Sequence, residues 1–177
     1  MNYEQTAGGV LMPVVALAVG GVFSGQIVRN GEVIDEFECP NLVVDQGLNH
    51  LLGAAFAGQT QVNPWYLGVF EGNYTPVASV TAANIVSAST ECVAYTEATR
   101  PEFNEAAPAG KQVTNSANKA QFTFNATKTI YGAFLISDAA KGAGGGTLFS
   151  AARFASPKGV VATDQLLLTY TFTAASA

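Results

Sequence analysis

The last third of the chain constrains the fold most. In "AQFTFNAT" (residues 120–127) Phe122 and Phe124 fall on one face and Thr123 and Asn125 on the other. That is the period-two pattern of a strand with one buried side. "IYGAFLIS", "TLFSAARF" and "QLLLTYTFTA" follow, separated by Thr127-Lys128, the glycine-rich "DAAKGAGGG" and "ASPKGVVATD". Strands joined by such turns pair antiparallel and bury their apolar faces against a second layer. The expected fold is therefore mainly β: an antiparallel, jelly-roll-like β-sandwich with one or two short helices. Ile130–Ile136 is apolar almost throughout, so this strand is either central or faces another subunit.

The earlier part agrees. In "GVFSGQIVRNGEVIDEFE" two β-prone runs flank Asn30-Gly31, a pair that accepts the positive φ angles of a type I′ hairpin turn. The returning strand ends at Cys39-Pro40. It carries Glu32, Asp35, Glu36 and Glu38, a charge density that keeps an exposed edge from stray pairing. A cation site is the alternative, although these acids lack the order of a calcium loop. "NLVVDQGLNHLLGAAF" predicts a short helix with Asp45 as its cap. Leu48, Leu51, Leu52, Ala55 and Phe56 lie at helical spacing, and Gly58 is the stop. "PWYLGVF" is the next strand, turned by Glu71-Gly72-Asn73. A one-turn helix capped by Ser79 or Thr81 is expected in "PVASVTAANI". From Thr90 to Ala120 the chain is polar, Thr-rich and broken by Pro101 and Pro108. This predicts a long loop system in which Tyr95, Arg100 and Phe103 pack. Residues 1–19 read as an extended N-terminal arm and residues 20–177 as a single domain.

Composition bears on function. Hydrophobic residues make up 49% of the 177 and charged residues 12%, roughly half the usual charged share. So little charge points to surface buried against other chains. The net charge of −5 argues against general nucleic-acid binding. Residues 1–105 hold 11 acids against Arg29 and Arg100, whereas residues 106–177 hold 6 bases against Asp138 and Asp164. The two halves meet either within one fold or across a subunit contact. Residues 10–28 are apolar, but Pro13, Gly20-Gly21, Ser24 and Gln26 interrupt them, which makes a poor membrane span. The preceding "MNYEQTAGG" lacks the basic start of a secretory signal. This segment reads as an arm leading into a strand, with "VLMPVVALAV" in contact with a neighbour.

Little in the sequence points to chemistry. His50 is the only histidine, so no zinc cluster or Ser/His/Asp set assembles without it, and it reads as structural. Cys39 and Cys92 form no CxxC pair and read as buried free thiols. "GAGGG" leads into a β-prone run and lacks both the GxxxxGK[ST] and GxGxxG patterns, so it reads as a flexible hairpin loop. Glu102 with Glu105, and Glu36 with Glu38, are carboxylate pairs without a context for acid–base work. No catalytic, metal or cofactor site is expected.

The order of "NLVVDQGLNHLL", "WYLGVFEGNYTP", "YTEATRPEF", "QFTFNATKTIYGAFLIS", "GTLFSAARF" and "DQLLLTYTF" resembles that of small virion proteins of tailed bacteriophages, especially capsid decoration (cement) proteins. The resemblance covers residues 20–174 and is one of cadence and composition. It implies a β-rich, often trimeric, non-enzymatic protein that sits on the capsid surface over joints of the major capsid protein and stabilises the shell. Inter-subunit contacts are then expected from residues 1–20 and the 100–120 loops. Tyr3, Trp65 and Phe103 are the aromatic anchors, with Val10, Leu11, Met12 and Arg100 as further contact candidates. A tail, baseplate or fibre component shares the same cadence. A carbohydrate-binding sandwich with Trp65, Tyr66 and Tyr74 as its stacking platform is the reading from another class.

Overall fold

The computed structural model describes residues 3–5, 7–9, 11–13 and 17–176. Tyr3–Gln5 (β1) and Leu11–Pro13 (β2) pair antiparallel as a small ribbon, with Tyr3 opposite Pro13, Glu4 opposite Met12 and Gln5 opposite Leu11. The expected N-terminal arm thus includes this two-stranded ribbon. Val10 lies outside the described residues. The long strands begin at Leu17.

Leu17–Arg29 (β3) and Glu32–Pro40 (β4) form the predicted hairpin. Asn30 and Gly31 both take positive φ, 51° and 85°, as a type I′ turn requires. Leu42–Val43 (β5), the helix Asp45–Phe56 (α1) and Tyr66–Phe70 (β6) follow. The second helix, Ala82–Ser89 (α2), is twice the expected length. Its N-cap is Thr81, whose backbone N–H donates to the Asn84 side chain at 2.9 Å. The remaining strands are Gln112–Thr114 (β7), Ala120–Thr123 (β8), Lys128–Ile136 (β9), Leu148–Val160 (β10) and Gln165–Ser176 (β11).

The longer strands form two antiparallel sheets in a mainly β, sandwich-like arrangement. One sheet has the order β5-β10-β9-β6. The other runs β4-β3-β11, and β7 and β8 share the far edge of β11 end to end. The main core lies between the sheets, where Phe23 and Ile27 of β3 and Leu166, Leu168 and Tyr170 of β11 meet Leu67, Ile130 and Leu135. A second core lies on the other side of β9, where Phe134, Ile136 and Leu148 pack with Phe70, Val80 and Ile85. β9 is therefore central and covered on both faces, which explains its unbroken apolar run.

Where β7 gives way to β8, Asn115 bridges the gap. Its fully buried side chain accepts from Tyr170 N–H at 2.7 Å and donates to the Leu168 carbonyl at 3.2 Å. An amide side chain here completes the ladder that the backbone interrupts. The two halves of opposite charge meet inside the fold. Arg29 pairs with Asp164, Lys128 with Glu71 and Lys158 with Asp35.

Candidate functional site

Helix α1 begins at Asp45 itself. Val44 occupies the N-cap position, and the Asp45 carboxylate lies in the first turn, where it favours the positive end of the helix dipole. Gly58, with φ of 67°, stands just past the end as expected. The packing face differs from the expected one. The buried residues are Gly47 and His50. A Cβ on Gly47 would sit 2.2 Å from the Phe149 carbonyl oxygen, so glycine is what lets α1 lie close against β10. Leu48 still packs on the core, but Leu52 and Phe56 face outward, 53% and 85% exposed. Four residues apart, they share one face of the helix.

Between α1, the 103–108 loop, β7 and β11 lies an apolar groove of about 490 Å³. His50, Trp65, Phe103, Phe149, Tyr170 and Phe172 line it. The rings pack edge to face: His50 on Trp65 and Trp65 on Phe149, both at 5.5 Å, and Phe149 on Phe172 at 5.3 Å. Such contacts fix ring positions, so the groove is preformed. Burial is the main force that pushes the Tyr170 phenol up to about 12, and its oxygen accepts from the Asn41 side chain at 3.0 Å. His50 Nδ1 is buried without a hydrogen-bond partner, and Nε2 faces Val62 N–H at 3.5 Å.

The strands β3 and β11 run on past this groove. They stay paired from Phe23 opposite Tyr170 to Leu17 opposite Ser176, whereas β4 joins β3 only from Val22. The tip is a two-stranded ribbon, and Leu17 on it is 65% exposed. Charge is sparse in the segments at this end. No Asp, Glu, Lys or Arg occurs at residues 5–28, 46–70 or 165–177. These runs supply the ribbon, α1 past Asp45 and half of the groove wall, whose other half includes Glu105. Their convergence was missed in the sequence because the gaps lie far apart in the chain. The charge-free runs themselves were readable.

The predicted contact residues divide. Trp65 is half-buried in the groove, and Phe103 is buried beneath it. Tyr3, Leu11 and Met12 belong to the β1–β2 ribbon. Arg100 is enclosed within the chain, 0% exposed, so it offers a neighbour no contact. It pairs with both carboxylate oxygens of Glu91 at 2.7 Å and donates to the Asp138 and Ala143 carbonyls, also at 2.7 Å. Glu91 in turn accepts from Gly142 N–H at 2.8 Å. The glycine loop between β9 and β10, expected to be flexible, is thus pinned by a buried ion pair. Tyr95, Arg100 and Phe103 do pack inside the loop system, as its sequence suggested.

Trp65 belongs to the main core, whereas Tyr66 and Tyr74 pack on the second one. The three rings form no common stacking platform. Cys39 and Cys92 are free and buried, and burial raises both thiols above their ordinary range. No helix among the described residues is long and apolar enough to cross a membrane. No group of three or more His, Cys, Asp or Glu among them is placed to hold a metal ion. What this end offers is a preformed aromatic surface with Glu105 as the groove's one acidic lining residue. No protein-family model matches the chain, and no curated protein matches it.

Proposed function

We propose that the chain is a non-enzymatic structural subunit that associates through its charge-free end. One observation carries this reading: two uncharged runs distant in sequence, 46–70 and 165–177, meet at a preformed aromatic groove, and Leu52 and Phe56 are exposed on the same helix that walls it. Isolated exposed apolar residues are ordinary, but an open aromatic groove is a surface that a partner can fill. The resemblance in cadence supplies the assembly: a tailed-phage virion, with the chain as a homo-oligomeric cement protein on the major capsid protein lattice. Burying apolar surface there stabilises the shell by about 25 cal/mol per Å² before association costs, and the gain repeats at each copy.

The test is co-sedimentation of the purified chain with source particles stripped of it. The Leu52→Ser, Phe56→Ser double variant should bind at least about tenfold more weakly while melting as the parent does, since both side chains face solvent in the free chain. Undiminished binding would contradict the reading.

A further inference from the structure

Several sheet edges among the described residues have a guard. β4 carries Glu32, Asp35, Glu36 and Glu38. The free side of β6 is bridged by Glu91 and Glu102. β5 is two residues long. At β8, Thr123 N–H donates to the Glu97 carboxylate and the Thr123 carbonyl accepts from Thr96. Charge, cover and shortness are the devices by which proteins block edge pairing. The start of β3 has none of these devices. The Gly21 carbonyl accepts from Asn41 N–H at 2.9 Å, so Gly21 turns its backbone groups toward the β4 side. With a period of two, Val19 and Leu17 do the same. β4 has no residue opposite them, and no other described backbone group bonds to them there.

We infer that this edge pairs with the same edge of a second copy of the chain, an inference that rests on reading the charge-free end as an association surface. The segment is self-complementary. In an antiparallel register centred on Ala18, Leu17 of one copy stands opposite Val19 of the other. Both residues point their N–H and C=O outward, so each such pair exchanges two hydrogen bonds. The second copy is the occupant because β3 bears no charge from Leu17 to Val28, and its partner β11 none. A chain of net charge −5 meets itself there without like charges in contact. The pairing joins two ribbons into one four-stranded sheet and covers Leu17. It is a two-fold contact, so it closes at the dimer.

Sedimentation velocity of the full chain, with hydrogen exchange at Val19, tests this. The expected result is a dimer mass and a slowly exchanging Val19 amide. Val19→Pro removes an outward N–H that β11 does not use, so the fold stands, and the dissociation constant should rise at least about tenfold. Should Val19→Pro misfold by circular dichroism, Ala18→Lys places a charge at the same edge and should weaken the dimer in the same direction. A monomer at tens of micromolar, or a dimer indifferent to the folded edge variants, overturns the inference. A trimer also overturns it, while leaving the proposed association of the chain intact.

Discussion

Arg100 carries its charge where water does not reach, and everything around it answers that charge. Glu91 neutralises it, and two loop carbonyls accept two more of its N–H groups. Removing one partner leaves the other charged and enclosed, so Glu91→Gln or Arg100→Met should cost about 3–5 kcal/mol in urea unfolding. The double variant Glu91→Met, Arg100→Met should recover part of that loss. Asn115 stands in a similar position without charge. Asn115→Leu strands the Tyr170 N–H and should cost about 1–3 kcal/mol by the same measurement. Asp164 links residue to solvent conditions. The Arg29 guanidinium hydrogen-bonded to it holds its carboxyl below the ordinary value of 3.8. A carboxyl depressed in the folded state stabilises the fold above its unfolded pKa. That contribution should fade as pH falls below about 4 and through the depressed value. Asp164→Asn should lower the melting temperature at pH 7 and flatten this acid limb.

At the scale of elements, α1 shows both what the sequence discloses and what it hides. Its existence, its length and its stop at Gly58 follow from local spacing and from glycine's tolerance of positive φ. Its orientation does not. Leu52 and Phe56 look like core residues because helical spacing marks a face without saying which way the face turns. Close packing against Phe149 turns the Gly47–His50 side inward. Gly47→Ala should therefore destabilise the chain by about 1–3 kcal/mol, measured by thermal unfolding, although alanine is the better helix former. The strands were more legible. Period-two alternation in Ala120–Phe124, the Asn30-Gly31 turn and the apolar β9 each carry their own local signal. The pairing of β11 with both β7 and β8 carries none, because it depends on contacts far apart in sequence and on Asn115 filling the break.

At the scale of the molecule, charge is partitioned. The acidic β4 edge and the ion pairs Arg29–Asp164, Lys158–Asp35 and Lys128–Glu71 lie on parts of the chain that separate the uncharged runs. The fold brings the 46–70 and 165–177 runs together at the groove, and the β3–β11 ribbon continues past it. That asymmetry is the basis for reading the chain as a subunit of something larger. It is also what a composition so poor in charge foreshadowed without locating. The most direct test is cryo-electron microscopy of particles from the source, with this chain traced in the density. The account predicts density on the capsid lattice, with Phe56, Leu52 and the groove rim against another chain and the β4 edge facing solvent. A chain found only in the tail would remove the cement role. A chain absent from every particle, or present with its uncharged end open to solvent, would contradict the central claim.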